Sequence, residues 1–370
     1  MWTRYLFWIL PGIVFVGLLG FGGWLLALPA RTSDAAAPQV PEAEVQAMLA
    51  DLRPVREGRP VIAVIGRNDA TETTDYLMPT GILRRANIAD VTMVATGPGS
   101  VQLYPALRVQ PDETIADFDA RHPNGADYVI VPAMSRDDDP LVLDWLRAQA
   151  EKGARIIGVC AGAKVVAAAG LLDGMRATTH WFYLGEMLDR SPTIRYVPDR
   201  RMVSDGAVTT ITGIEAIAGR PKAQQVAAGL GLDQWDARHE SDAFTLTRPF
   251  ALTVLGNRMA FWKRDELWLR IDDGVDEVSL ALVVDAWSRS YLAGTRTIAT
   301  SRGAIVSANG VRILPDGVAE PGRQPLAFTQ DARPADTLDD TLSAIAGRYG
   351  PRTASVVAME LEYPWAGSVF

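Results

Sequence analysis

Short apolar runs that alternate with amphipathic stretches are the feature of this sequence that most restricts its fold. Four runs have the pattern of buried strands, namely VIAVIG (61–66), VTMVATG (91–97), ADYVIVPA (126–133) and ARIIGVC (154–160). Continuous apolar strands are typical of a sheet that is covered on both faces, and helices between such strands favour parallel crossovers. The sequence therefore predicts an α/β fold with a mostly parallel sheet between two helical layers.

The segments between and after these runs predict further elements. TETTDYLMPTGILRRA (71–86) and DPLVLDWLRAQAEKG (139–153) have helical patterns, and Asp139 provides a helix cap in the second. Helices are also predicted near 42–52, 221–230, 275–293 and 336–350. An SDG turn predicts a strand pair within 193–213, and Asn309-Gly310 predicts a hairpin.

The amino-terminal residues have the composition of a membrane span. No charged side chain occurs from Tyr5 to Ala30, and at ~1.5 Å per helical residue this length crosses a ~30 Å hydrocarbon layer. The run is longer than the apolar part of a secretory signal, although cleavage after Ala30 or Ala37 stays open. Arg4 precedes the run and Arg31 follows it, so a slight charge bias favours an extracytoplasmic (periplasmic) body on a single-pass anchor.

These patterns divide the chain into four parts. Residues 1–30 are the anchor or signal segment, and 31–58 are a linker with a short helix. Residues 59–293 form the α/β domain, and 294–370 are a carboxyl-terminal extension whose role the sequence does not indicate.

Composition excludes one class of partner. The 370 residues carry a net charge of −8, the isoelectric point is about 5.1, and Lys and Arg form no block. Because nucleic-acid binding usually needs a basic surface, we expect no nucleic-acid partner.

The single cysteine, Cys160, lies at an abrupt change of pattern. Its strand is followed at once by AGAKVVAAAG, and the neighbours Gly158, Ala161 and Gly162 are small. A strand that turns into a helix so sharply is typical of a nucleophile elbow, with Cys in place of Ser. A helix amino terminus beside the thiol lowers its pKa and favours the thiolate. The alternative is that Cys160 is a small apolar residue in the core.

The longer string GVCAGAKVVAAAGLLDGMRATTHW (158–181) resembles the ThiJ/PfpI superfamily of class I glutamine amidotransferase-like proteins. The similarity is strongest to the branch that supplies the amino-terminal domain of AraC-type regulators, and it extends from about Val61 to about Tyr291. The resemblance implies a flavodoxin-like three-layer sandwich. Relatives often dimerise, which this sequence neither shows nor excludes.

The resemblance also implies roles for individual residues. Cys160 matches the family nucleophile, His180 matches the histidine beside it, and Asp75 matches an acid that approaches the sulfur four positions before a proline. A carboxyl group beside a thiolate tends to keep its proton, so Asp75 is expected to act as a general acid. Glu72 is the alternative acid, and His180 has the alternative role of closing a loop.

Backbone donors are expected from Ala133, which ends the strand before the site, and from Ala161 in the elbow. Many relatives have Gly-Gly where this chain has Ala133 and Met134, so the substrate class does not transfer from them. The segment 209–219 passes from strand to helix more abruptly than in relatives, and no helix-turn-helix follows the domain. A DNA-binding regulator is therefore not expected.

The remaining histidines, His122 and His239, lie in polar stretches and are expected at the surface. Three scattered histidines and one cysteine show no metal-ligand spacing, so we expect no metal site and no cofactor.

Two functional hypotheses follow from these observations. In the first, Cys160 attacks a small electrophilic substrate while Asp75 and His180 manage protons. The activities that the resemblance implies are those of peptidases or amidases, of glyoxalase-like or deglycase-like enzymes, and of isonitrile hydration. In the second hypothesis the same pocket binds a small molecule, or the thiol oxidises reversibly, and the protein is a sensor.

Overall fold

A sheet with helices on both faces forms the centre of the molecule. The computed structural model describes residues 2–32, 36–211, 220–232, 238–322, 324–327, 329 and 332–370, and the side chains of these residues except 2–14 and 220–224. The helices are α1 (Trp2–Ala27), α2 (Glu42–Asp51), α3 (Thr73–Ala86), α4 (Ile115–Arg121), α5 (Pro140–Glu151), α6 (Gly162–Ala168), α7 (Leu184–Arg190), α8 (Arg220–Leu230), α9 (Arg248–Met259), α10 (Glu277–Arg289), α11 (Pro334–Tyr349) and α12 (Pro351–Glu360).

The strands are mostly short. They are β1 (Val61–Gly66), β2 (Asp69–Glu72), β3 (Asp90–Ala95), β4 (Val101–Tyr104), β5 (Arg108–Gln110), β6 (Glu113–Thr114), β7 (Tyr128–Val131), β8 (Arg155–Val159), β9 (Arg176–Ala177), β10 (Arg195–Tyr196), β11 (Met202–Asp205), β12 (Val208–Ile211), β13 (Asp265–Arg270), β14 (Ala293–Ala299), β15 (Ile305–Val306), β16 (Arg312–Ile313) and β17 (Gly317–Val318).

The main sheet has the strand order β11-β12-β8-β7-β1-β3-β6, and it is parallel except for β11 at one edge. In β1, Ile62 and Val64 contribute to one apolar cluster, whereas Ala63 and Ile65 contribute to the cluster on the opposite face. The first cluster contains side chains from α3, α10 and α11, and the second contains side chains from α5 and α6. This is the predicted flavodoxin-like α/β arrangement.

Several predicted elements are confirmed. The side chain of Asp139 caps α5 by accepting the Leu141 amide at 3.1 Å. The SDG turn joins the antiparallel pair β11 and β12, and Asn309-Gly310 joins β15 and β16. The predicted shortening within 209–219 falls mainly on residues 212–219, which lie outside the described residues.

The carboxyl-terminal extension is packed against the rest of the chain. Strand β16 pairs with β5, and β14 pairs with β13. Leu342 of α11 and Val357 of α12 lie in the same apolar cluster as the side chains of α10. The boundary at residue 293 stays a prediction, but this packing brings the end of α12 to the carboxyl ends of the central strands.

Helix α1 is followed by a segment that contacts the body. The Arg248 side chain donates hydrogen bonds to the carbonyl oxygens of Leu25, Leu26 and Leu28. Within the described ranges, no helix is both long enough and apolar enough to cross a bilayer.

Candidate functional site

The Cys160 bend lies at the carboxyl end of β8, where α6 begins two residues later. The φ angle of Cys160 is +54°, a left-handed conformation that is uncommon for a residue other than glycine. A Cβ atom on Gly158 would lie 3.0 Å from Cα of Ala163, and one on Gly162 would lie 1.9 Å from the carbonyl oxygen of Val131. The small residues of the elbow are therefore required by the close approach of α6 to β7 and β8.

Hydrogen bonds fix this bend on two sides. The backbone N–H of Cys160 donates to the carbonyl oxygen of Ile211 at 2.8 Å, and the Thr179 hydroxyl donates to the carbonyl oxygen of Cys160 at 3.1 Å. The Thr178 amide donates to the Thr210 hydroxyl at 2.8 Å. The two threonines of the ATTHW motif thus hold the following segment beside the elbow. Cys160 as a residue is partly exposed, whereas its thiol group is buried.

Asp75 lies in the first turn of α3 and is buried. Its Oδ2 atom accepts the Ala133 amide at 3.0 Å, which connects α3 to the residues that follow β7. Burial raises the pKa of Asp75 well above its ordinary value, and the nearby charge of Glu72 raises it further. Burial therefore favours the protonated form of this carboxyl group more than it would in an exposed aspartate. Because the Ala133 amide already donates to Asp75, its predicted use as an oxyanion donor requires this bond to break.

Glu72, the alternative acid, is committed to other contacts. Its Oε2 accepts the Asp75 amide at 2.6 Å and the Thr74 hydroxyl at 2.9 Å, as expected of a helix cap. Its Oε1 accepts a hydrogen bond from Arg289 at 2.7 Å. Asp75 therefore has the better placement for proton transfer, as the family spacing implies.

The expectation of a lowered thiol pKa is wrong. Burial raises the pKa of Cys160 well above its ordinary value, and the charges of Asp75 and Glu72 raise it further. The amino terminus of α6 favours the thiolate, but α6 has only seven residues and its effect is outweighed. Cys160 therefore rests as a thiol.

His180 is buried after β9, and both of its ring nitrogens are bonded to backbone groups. Nε2–H donates to the Glu360 carbonyl oxygen at 3.0 Å, and Nδ1 accepts the Phe182 amide at 3.3 Å. Burial lowers the pKa of His180 to about 3, and the charge of Arg289 contributes in the same direction. Because both ring nitrogens are engaged, the predicted role of His180 in managing protons requires one of these bonds to break.

Arg289, near the end of α10, connects three carboxylates around the site. It donates to Asp285 at 2.8 Å and to Glu72 at 2.7 Å, and it lies 3.6 Å from Glu360. Burial raises the pKa of Asp285, whereas the charge of Arg289 lowers it. Glu360 also accepts the Tyr291 hydroxyl at 2.5 Å. Sequence reasoning missed this cluster, and the only local signal was the i, i+4 spacing of Asp285 and Arg289.

His239 is buried, which corrects its expected surface position. Its ring is stacked on Phe244 with a centroid distance of 5.2 Å, and its Nε2 lies 3.7 Å from Glu362. Burial lowers the pKa of His239 to about 4. Glu362 also accepts the Trp181 amide at 2.9 Å. The turn after α12 therefore covers one side of the site through residues that lie far from the elbow in sequence.

A pocket of ≈ 350 Å³ opens beside these residues. His180, Tyr183, Arg289 and Glu360 form part of its wall. Tyr183 and Arg289, which line the pocket, also interact electrostatically with the thiol of Cys160. In the part of the chain that the structure describes, no group of three or more His, Cys, Asp and Glu side chains could hold a metal ion.

Comparisons with known proteins agree with this fold and this elbow. Residues 61–218 match the model of the DJ-1/PfpI family. The chain is 44% identical over 80 residues to isonitrile hydratase of Pseudomonas putida, a match to 21% of this chain and 33% of that protein. It is 26% identical over 175 residues to dj-1beta of Drosophila melanogaster, which covers 43% of this chain and 90% of that protein.

Two further matches complete this picture. The transcriptional regulator CdhR of Pseudomonas aeruginosa is 31% identical over 78 residues, or 21% of this chain and 23% of the regulator. The crystal structure of Drosophila DJ-1beta aligns with a TM-score of 0.42 at 25% identity and covers 48% of this chain and all of that one. The chain thus spans a third of the isonitrile hydratase and a quarter of the regulator. The match of residues 61–218 to the DJ-1/PfpI family model agrees with the resemblance carried by the residues around Cys160.

Proposed function

We propose that this protein is a cysteine-dependent hydratase or hydrolase that acts on a small electrophilic molecule. The observation that carries the proposal is the pairing of a partly exposed cysteine on a left-handed bend with the buried Asp75, whose carboxyl group interacts electrostatically with the thiol. The similarity to isonitrile hydratase over 80 residues supports a substrate that is protonated as it is attacked.

A thiol of raised pKa and a neutral acid suit addition of S–H across a multiple bond. Asp75 gives its proton to the substrate while the sulfur of Cys160 forms the new C–S bond, and the thiol proton passes to the carboxylate that remains. For an isonitrile, the product of this step is a thioimidate. Water then adds to its C=N bond, the C–S bond breaks, and a formamide leaves while the sulfur regains a proton.

The other residues of the site position these two groups. Glu72 caps α3 and so fixes Asp75, and the Ala133 amide holds one oxygen of the Asp75 carboxyl group. His180 closes the site by bonding to the end of α12. In this proposal His180 is a positioning residue.

A panel of isonitriles, amides and dicarbonyls assayed with the full chain tests the proposal. We expect product from at least one class, a complete loss of product with Cys160→Ser, and a loss of about 100-fold with Asp75→Asn. Turnover that is retained in Cys160→Ser, or no product from any class with the wild type, would overturn it.

A second candidate function is a small-molecule sensor, and the contacts of His180 favour it. Because both ring nitrogens bond to backbone groups and the thiol is not ionised, the site has fewer mobile proton carriers than an efficient hydrolase needs. The similarity to the regulator CdhR supports ligand binding. Thermal stabilisation by one compound of the panel without any product would favour this function over turnover.

We further propose that α1 attaches the protein to a membrane, with the body on the extracytoplasmic side. The support is the apolar run from Tyr5 to Ala30, together with the exposed Phe261 and Trp262, which are 73% and 69% exposed just after α9. Aromatic side chains of this kind are common at membrane interfaces. Intact protein in the soluble fraction of lysed cells would contradict the attachment, and protection of the body from external protease would contradict the orientation.

A further inference from the structure

The pocket beside the elbow is built partly by residues that lie outside the DJ-1/PfpI domain. His180 and Tyr183 supply its inner side, whereas Arg258 and Arg264 come from α9 and from the turn that follows it. Its ligand preference is therefore a property of this chain and does not follow from the family domain.

Positive charge exceeds negative charge on the pocket wall. The wall contains three arginines and one carboxylate, Glu360. Arg289 is neutralised by Glu72 and Asp285 in addition to Glu360.

The other two arginines have few partners of opposite charge. The guanidinium of Arg258 lies 4.5 Å from the ring centre of Tyr291, and it also interacts electrostatically with Glu360. Arg264 is exposed and forms no ion pair with any residue that the structure describes. Guanidinium groups that are not neutralised by the protein form strong, directional hydrogen bonds to carboxylates.

Two exposed aromatic side chains lie at the rim of the pocket. Tyr104 is 60% exposed and Phe182 is 56% exposed, although both rings line the pocket. Exposed aromatic rings beside arginines suit a flat, apolar molecule that carries an anionic group.

We propose that this pocket binds a small organic carboxylate, with its anionic group at Arg258 and Arg264 and its apolar body against Tyr104 and Phe182. If the bound carboxylate is the substrate, the proposal rests on the proposed function. The electrophilic carbon of the molecule would then point from the arginines towards Cys160. The proposal that the pocket binds a carboxylate does not depend on turnover.

Calorimetric titration of the full chain with benzoate, and with neutral benzamide as the matched probe, tests the binding. We expect benzoate to bind at least about tenfold more tightly than benzamide, and Arg258→Gln/Arg264→Gln to abolish this preference. Arg264→Glu provides a single change with the same expected direction if the double variant does not fold. Arg302→Gln/Arg352→Gln removes two exposed arginines that do not line the pocket, and it should retain the preference. Equal binding of the two probes, no binding of either, or a preference that survives in Arg264→Glu would overturn the proposal.

Alkylation of Cys160 reports the position of the anion relative to the sulfur. Iodoacetate and iodoacetamide both form the S–CH2 bond and release iodide, and Cys160 is the only thiol in the chain. We expect the ratio of the iodoacetate rate to the iodoacetamide rate to fall about fivefold in Arg264→Glu, because the charge that recruits the anion is reversed. An unchanged ratio would contradict the orientation towards Cys160. If benzoate binds as expected but no substrate is turned over, the catalytic proposal fails while the carboxylate pocket stands.

Discussion

The Nε2 atom of His180 lies 3.0 Å from the carbonyl oxygen of Glu360, the last residue of α12. The imidazole that follows the elbow is therefore held by a residue 180 positions further along the chain. With Nδ1 occupied by the Phe182 amide, the ring is fixed as the neutral Nε2–H tautomer. The carboxyl-terminal extension is in this sense part of the candidate site.

The buried His180 makes the protein sensitive to acid. Its folded pKa of about 3 lies below the ordinary value of 6.5, so the unfolded chain takes up a proton as the pH falls below 6.5 while the folded chain does not. Stability is therefore lost as the pH falls from 6.5 towards 3, by about 2 kcal/mol between pH 7 and pH 5. We expect His180→Gln to remove this loss in urea unfolding at the two pH values. The partly exposed His122, changed to Gln, is the control. An identical loss in wild type and His180→Gln would contradict the assignment.

The thiol of Cys160 should react slowly with iodoacetamide at neutral pH. Because its pKa is raised, the alkylation rate should still be increasing above pH 9. Asp75→Asn keeps an oxygen for the Ala133 amide but removes a carboxyl group whose negative charge raises the thiol pKa, so its rate profile should move to lower pH. Mass spectrometry of the alkylated chain provides the measurement. A wild-type profile that levels off near pH 7 would show instead that the thiolate is the resting form.

The elbow should not tolerate a side chain at Gly162. A Cβ atom there would lie 1.9 Å from the carbonyl oxygen of Val131, so Gly162→Ala must push α6 away from β7. We expect a loss of about 3 kcal/mol in the free energy of unfolding. In Gly185→Ala the new Cβ meets no atom within 4 Å, and this control should be neutral or more stable by up to about 1 kcal/mol. Similar stabilities of the two variants would rule out the close approach of α6 and β7.

Arg289 should be more important for stability than surface arginines. Its removal in Arg289→Met leaves the buried Asp285 and Glu72 without their cation, and we expect a cost of about 3–5 kcal/mol in urea unfolding at pH 7. Arg296 pairs with Glu266 at the surface with 54% of its side chain exposed, so Arg296→Met should cost at most about 1 kcal/mol. Equal costs would show that the carboxylates around Arg289 are already protonated.

The sheet and the elbow were predictable because their requirements are local. A strand that is buried on both faces must be apolar throughout, and this is visible in VIAVIG and YVIV. The small residues Gly158 and Gly162 indicate in the sequence that α6 packs closely against the neighbouring strands. The helical pattern of 71–86 places Asp75 near the start of α3, but the helix-cap role of Glu72 was not predicted.

The electrostatics of the site were not predictable from local pattern. Glu360 accepts the hydrogen bond from His180 with its backbone carbonyl oxygen. Every residue type has this oxygen, so the sequence gives no signal of the contact. Arg289 and Glu362 reach the site from α10 and from the turn after α12, far from the elbow in sequence. The helix amino terminus beside Cys160 was visible in the sequence, but the burial and the carboxylates that outweigh it are products of the tertiary fold.

The two ends of α9 contact different parts of the molecule, and Arg248 forms the contact at the first end. Arg248 at one end donates hydrogen bonds to the carbonyl oxygens of Leu25, Leu26 and Leu28, and Arg258 near the other end, about 15 Å away, lines the pocket. A helix of this length bends little, so a displacement of one end of α9 also moves its other end. A change in the tilt of the first helix would therefore widen or narrow the entrance to the pocket.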